Sequence, residues 1–386
     1  YTTLFRSAEY GAEVIKMDHS ENQASSFLAS LGIMTSPGKR SLLTEIKTAP
    51  GRKIFQQLVS WADVVMHNST DDTAKRFGAD YTQLQDINPN VVSCQETAYG
   101  SLQRGGWENR IGYDGTAQSA SGLSAQYGSL EQPHFHGAGK CADITTGLMM
   151  AFTALLGVWQ RSQTSYAGET CTSLAQGINY CQLPYMIADE KGKSDWGEPQ
   201  GQLAVGEYWW QRLYQCSDGW IYVGTSKERA GHLAEVLTGS PEADEKTLED
   251  TFIQHDCAYW TAMLNAADIG CHQVLSVDDI YAATEVEHVD NEEQDVKIKG
   301  SFSVLCWDDH PSGKPTCLSA PTWTRVGESP SYRRKTPAPH YGQNTREILR
   351  NLGYDEDRIE KLIRLKVCYE ALPGMANSKT PYIFEP

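Results

Sequence analysis

Short apolar runs alternate with helically spaced apolar positions over the first part of the chain. Glu13-Val-Ile-Lys-Met17, Ser41-Leu-Leu-Thr-Glu-Ile46, Asp63-Val-Val-Met66 and Val91-Val-Ser-Cys94 read as buried strands. Between them Ile54, Phe55, Leu58, Val59 and Ala62 recur at helical spacing, behind Thr48 as N-cap and Pro50 in the first turn. Thr3–Tyr10 reads as a helix stopped by Gly11, and Tyr81–Ile87 as one stopped at Asn88-Pro89. Such alternation predicts βαβ units and a parallel, doubly wound sheet, in which ligands bind beyond the strand C-termini. Opening on a helix leaves Glu13–Met17 without a preceding partner, so an N-terminal strand outside this chain is expected.

Asp114–Leu123 then predicts a short helix. The small-residue loop Gly137–Ala142 leads to Leu148–Trp159, an apolar run that predicts a buried helix. Asp143 is expected at or next to the N-cap of that helix, where a carboxylate accepts backbone N–H groups and the helix dipole favours an anion. Beyond about Gln182 the pattern changes. Tyr208–Cys216 and Trp220–Gly224 flank Ser217-Asp-Gly219 as a hairpin, and Lys227–Leu237, Glu242–Phe252 and Ala258–Ala267 are helical. Val274–Glu287 is mixed and Asp290–Asp295 is an acidic surface run. Pro311–Pro339 reads as an extended connector. Asn344-Thr-Arg-Glu347 has the form of a capping box, with a helix to Gly353 and a second over Glu356–Val367. The expected organisation is a large Rossmann-like α/β domain over 1–185, a smaller α+β domain over 186–310, and a connector with returning helices over 311–386.

Charge and chemistry narrow the reading. The 386 residues carry 33 Lys+Arg against 49 Asp+Glu, a formal charge of −16, which argues against a nucleic-acid or anionic-membrane surface and leaves room for one local basic pocket. No uncharged stretch reaches the roughly 20 residues of a bilayer span, and the first residues lack a signal-peptide pattern. Ten scattered cysteines without a CxxC fit a reduced, cytoplasmic chain. His134-Phe-His136 with Cys141 matches no common metal spacing, so no metal is expected. No Walker loop, GxGxxG, GxSxG elbow or convincing Cys/His pair is present, which leaves a carboxylate as the best candidate nucleophile. Basic residues cluster at expected strand ends: Lys16 with His19, Lys39-Arg40, and Lys75-Arg76. In a parallel sheet they either meet at one rim or remain ordinary solvated charge.

Read together, the motifs resemble family III CoA-transferases, the CaiB/BaiF family. The resemblance is carried in order by Glu9-Tyr-Gly-Ala-Glu-Val-Ile-Lys16, Gly38-Lys-Arg-Ser41, Ala62-Asp-Val-Val-Met-His-Asn68, Arg76-Phe-Gly78 and Ala98-Tyr-Gly100. It continues through Gly112-Tyr-Asp-Gly-Thr-Ala-Gln-Ser-Ala-Ser-Gly122, Ala142-Asp-Ile-Thr-Thr-Gly147, Gly168-Glu-Thr-Cys-Thr-Ser-Leu174, Ser217-Asp-Gly-Trp220 and Ala338-Pro-His-Tyr-Gly-Gln-Asn-Thr345.

The resemblance implies a Rossmann-like large domain, a small domain, and two subunits interlocked as a dimer. It implies CoA transfer from an acyl-CoA to a small carboxylic acid, with coenzyme A as co-substrate. Asp143 falls on the family's nucleophilic aspartate and Tyr113 on the wall beside it. Lys39 and Arg40 fall beside the adenosine-phosphate end of CoA, and Lys16, His19, Asn68 and Arg76 along the rest of the molecule. Gly137, Gly139 and Gln118 are expected around the acyl group. His19 stands where relatives often carry Arg, and Ser69-Thr-Asp-Asp72 replaces an aromatic-Arg-Pro-Gly turn. Gly201–Gly206 is the candidate replacement for the family's flexible glycine loop, and Tyr208, Trp209 and Trp210 are candidate acyl-pocket walls. Two other readings stay open. One is an α-methylacyl-CoA racemase-like enzyme, which would need a base such as His134 or His136 because Tyr113 is a poor one. The other is a non-catalytic or CoA-binding half of a tandem CoA-transferase/lyase, as in the dimethylsulfoniopropionate enzymes.

Overall fold

The computed structural model describes residues 7–8, 11–20, 35–100, 110–137, 141–183, 201–283, 286–288, 295–297, 304–307, 316–319, 325–326, 329–333 and 336–371. The chain opens with β1 (Val14–Asp18), β2 (Lys39–Thr44), α1 (Ala49–Val59), β3 (Val64–His67), α2 (Asp71–Phe77), α3 (Tyr81–Ile87) and β4 (Val92–Thr97). There follow α4 (Asp114–Ala120), α5 (Leu123–Gln126), α6 (Cys141–Thr164), β5 (Glu169–Ser173) and α7 (Leu174–Cys181). Next come β6 (Gly206–Tyr208), β7 (Gln211–Gln215), β8 (Trp220–Gly224), α8 (Ala230–Thr238), α9 (Glu245–Phe252), α10 (Cys257–Ala266), β9 (Gly270–Gln273) and α11 (Val277–Ala283). The last elements are β10 (Val286–His288), β11 (Asp295–Lys297), β12 (Val304–Trp307), β13 (Thr316–Ser319), β14 (Arg325–Val326), β15 (Ser329–Arg333), α12 (Thr345–Asn351), α13 (Glu356–Arg364) and β16 (Cys368–Tyr369).

The described residues form two compact units. The first draws on Tyr1–Ser121, His136–Cys181 and Glu285–Pro386, the second on Gly122–Phe135 and Gln182–Thr284. In the first unit β1 runs parallel to β2, with Val14 opposite Lys39 and Asp18 opposite Leu43, and β16 lies antiparallel on the other side of β2. A second sheet, β3-β4-β5, is wholly parallel. The α1 helix begins as its sequence dictates, with the Thr48 hydroxyl accepting from the Gly51 amide. Its Phe55 and Val59 pack with Leu84 and Val91. Val92 and Cys94 of β4 are buried against Met150 and Ala154 of α6. These parallel strands with crossing helices are the expected α/β architecture.

The second unit is a four-stranded antiparallel sheet, β6-β7-β8-β9, with α8, α9 and α10 packed around Tyr214, Phe252, Trp260 and Ile221. The expected hairpin is present, with Gln215 opposite Trp220 and the Cys216 amide bonded to the Gly219 carbonyl across the turn.

Several expectations change. The expected helix Asp114–Leu123 breaks at Ser121–Gly122, where Gly122 adopts φ 85° and starts α5. Helix α6 begins at Cys141, so Asp143 sits in its first turn and not at its cap. The run Leu148–Trp159 is not buried all round. Ala142, Thr146, Gly147, Met150, Ala154 and Gly157 are buried, while Ile144, Leu148, Phe152, Leu155, Leu156 and Trp159 are exposed. By length and composition this helix could also cross a membrane, although its inner face belongs to the core of the first unit. Pro311–Pro339 contains strands: β13 pairs with β12, and β15 pairs with β11 and β14. The Asn344 capping box does not close, because Asn344 Oδ1 instead accepts the Ser41 amide at 3.0 Å. Most of the Thr3–Tyr10 helix and of the Asp290–Asp295 run lies outside the described residues.

Candidate active site

The carboxyl ends of β3, β4 and β5 form one edge, and the starts of α4 and α6 gather there. Gly112 lies so close to Ala98, just past β4, that a Cβ on it would come within 2.6 Å of the Ala98 methyl. That approach fixes where α4 begins. The α6 start is tied to the end of β5 by the Thr146 hydroxyl, which donates to the Ser173 carbonyl at 3.4 Å. Gly177 of α7 lets the two helices touch, since a Cβ there would lie 2.3 Å from Thr146 Oγ1. Asp143, half-buried in the first turn of α6, is thus held at the edge where parallel sheets take their ligands.

The cap of α6 comes from another helix. Asp114, at the first position of α4, is 4 % exposed. Its Oδ2 accepts the amides of Ala142 at 3.0 Å and of Asp143 at 3.2 Å. Its Oδ1 accepts from the Gln118 side-chain amide, one turn along α4. Gln118 is fully buried, and its amide group also donates to the His136 carbonyl and accepts the His136 amide, both at 3.0 Å. The expected pocket residue Gln118 is therefore an internal brace. Sequence reasoning passed over Asp114, although two polar residues spaced i and i+4 around Ala117 are the signal of a buried polar helix face.

Tyr113 is the N-cap residue of α4 and 73 % exposed, with its backbone amide received by the Thr116 hydroxyl at 2.7 Å. Gly137 is exposed, and Gly139 lies outside the described residues. Asn68 follows β3 directly and is exposed at the same edge of the sheet. Arg76, exposed on α2, stacks against Phe77 with 5.1 Å to the ring centroid. The turn Ser69–Asp72 is braced by Gln95 of β4, which donates to the Ser69 carbonyl and to Asp71.

The remaining cations belong to the β1-β2 sheet and do not share one rim. Lys39 and Arg40 begin β2, opposite Val14 and Ile15, whereas His19 follows the far end of β1. Lys16 pairs with Asp18, and its ammonium lies 4.5 Å from the Tyr341 ring centroid. Arg40 is engaged by Glu13 and Glu347. Lys39 is buried. That burial, aided by the Lys16 charge and opposed by Asp18, pulls its ammonium down to about 7.

Gly201–Gly206 lies in the second unit, where Gly201 packs on the Tyr127 carbonyl and Gln202 meets His134 at 3.2 Å. Trp209 and Trp210 pack against that unit's core, and Tyr208 stacks on Trp210 at 4.7 Å. No group of three or more His, Cys, Asp or Glu arranged for a metal occurs among the described residues.

A half-buried carboxylate at the carboxyl edge of a parallel sheet suits acyl-group chemistry, and comparison with known proteins identifies the setting. The sequence model of CoA-transferase family III matches residues 6–345. The chain belongs to that family. CoA-transferase/lyase DddD of Marinomonas sp. (strain MWYL1) is 28% identical over 372 residues, covering 95% of this chain and 44% of that protein. This family III chain therefore spans less than half the length of that relative. Succinyl-CoA:glutarate CoA-transferase of Mus musculus is 23% identical over 387 residues, with 92% of this chain and 84% of that protein covered. Among solved structures, a CAIB/BAIF family protein from Brucella suis has a TM-score of 0.67 at 20% identity, covering 91% of this chain and 94% of its own. That likeness establishes the family III fold.

Proposed function

We propose that the chain moves CoA from an acyl-CoA to a carboxylic acid, with Asp143 as nucleophile. The observation that carries the reading is Asp143 itself, half-buried in the first turn of α6 beside the ends of β4 and β5. The positive end of the helix dipole favours an anion there.

In this reading the Asp143 carboxylate attacks the thioester carbonyl, forming an aspartyl–acyl anhydride and releasing CoA thiolate. The thiolate attacks the aspartyl carbonyl, which gives an aspartyl-CoA thioester and frees the first acid. The acceptor carboxylate attacks that thioester, and the thiolate finally takes the new acyl group. Anhydride and thioester are close in energy, so the exchange needs no nucleotide. The protein contributes positioning, stabilisation of the oxyanions and exclusion of water.

Asn68 stands at the same edge as Asp143 and is proposed to meet CoA together with Arg76, while Lys39 and Arg40 at one end of the β1-β2 pair and His19 at the other are candidates for different parts of the molecule, with Lys16 between them. Arg40 would have to leave Glu13 and Glu347 to do so. A carboxylic acid acceptor is supported by relatives whose names pair two acids, among them formyl-CoA:oxalate CoA-transferase of Rhodopseudomonas palustris (strain TIE-1). A dimer, or a tandem partner domain, is supported by the apolar outer face of α6. A cytoplasmic setting fits the free thiols of Cys94, Cys141, Cys171, Cys181, Cys216, Cys257, Cys271 and Cys368.

The test is CoA exchange between panels of acyl-CoA donors and carboxylic acids, followed by mass spectrometry. Asp143→Ala should lower exchange about 10³-fold or more. Unchanged exchange in that variant would remove Asp143 from the chemistry.

A further inference from the structure

We infer that Asp114 is the positioning residue of this site: its buried carboxylate, carried on α4, accepts the first-turn amides of α6 and so fixes the backbone at Asp143. The inference rests on the transfer reading above.

The geometry separates this from an ordinary cap. A local cap belongs to the chain just before its helix. Here the acceptor comes from α4, and both of its oxygens are occupied by donors on different elements. Two first-turn amides of α6 point at this carboxylate, so the dipole of that helix favours it. Gln118 fastens the same carboxylate to residue 136, in the stretch that leads into α6. Asp114 Oδ2 is bonded to the amide of Asp143 itself, which fixes the backbone from which the reacting side chain projects.

Two variants test the cap. Asp114→Ala removes the acceptor, whereas Asp114→Asn keeps one acceptor oxygen. In Asp114→Ala, amide hydrogen exchange over 141–147 should quicken about fivefold, the loss of one cap. The kcat should fall about 10²-fold with little change in KM for acyl-CoA. In Asp114→Asn, which keeps an acceptor oxygen, both the exchange rates and kcat should return toward wild type. Unchanged amide exchange in Asp114→Ala would overturn the cap role. Restored amide exchange in Asp114→Asn with kcat still as low as in Asp114→Ala would overturn the positioning of Asp143 through the cap. Should wild-type protein itself transfer no CoA, the function reading fails, and amide exchange still decides the positioning role.

Discussion

Lys39 begins β2 with its ammonium turned into the protein, close to Lys16 and Asp18. Burial destabilises the charged form, and the neighbouring Lys16 adds repulsion. Its native pKa of about 7 lies below the ordinary 10.5, so the sign of the linkage is fixed. Below pH 7 both folded and unfolded chains hold the proton, and the buried charge destabilises the fold in full. Between about 7 and 10.5 the unfolded chain binds more protons, and stability rises with pH. Lys39→Met should therefore raise stability at pH 6.5 by about 1–3 kcal/mol and flatten the rise toward pH 9, read by thermal melts across pH. A steeper rise in the variant would contradict the assignment. Residues of this kind were only half legible in the sequence. Thr48 and Asp80 act as helix caps through bonds two or three residues away, so local pattern suffices for them. Asn344 looks like such a cap, yet its oxygen serves Ser41 across 303 residues, which no local pattern encodes. Asp114 was hidden for the same reason: its partners lie 28 and 29 residues on.

Helix α6 was legible as an apolar run, but its start and its two faces were not. The sequence marks Leu148–Trp159, and the helix begins seven residues earlier because a distant carboxylate caps it. Its inner face depends on two close approaches of opposite functional weight. Gly157 meets β4, where a Cβ would lie 2.5 Å from Val92 Cγ1, while Gly177 of α7 meets Thr146 near the Asp143 end. Each Gly→Ala change should destabilise by about 1–3 kcal/mol through overpacking. Gly157→Ala should leave kcat/KM of the folded enzyme within about twofold, since it acts far along the helix. Gly177→Ala should also lower kcat about tenfold or more, because Thr146 and Asp143 share one turn. Equal kinetic effects from the two variants, measured well below their melting temperatures, would contradict this division.

At the scale of the whole molecule, the parallel α/β part and the antiparallel second unit follow the hydrophobic pattern closely. The strands within Pro311–Pro339 did not, since proline-rich composition masks short strand pairings. The outer face of α6 belongs to this scale as well. Ile144, Leu148, Phe152, Leu155 and Trp159 form one stripe with no cover within the described chain. If the proposed dimer packs on this stripe, Leu155→Asp combined with Phe152→Asp converts it to a monomer in light scattering. A dimer that survives both changes would show that the stripe serves another purpose. Trapping tests the nucleophilic role of Asp143 most directly. Hydroxylamine added during turnover with acyl-CoA and acceptor should convert Asp143 to its hydroxamate. Peptide mass spectrometry should locate that adduct at Asp143, in step with loss of activity. Inactivation with Asp143 unmodified, or turnover that hydroxylamine leaves untouched, would contradict the covalent aspartyl mechanism.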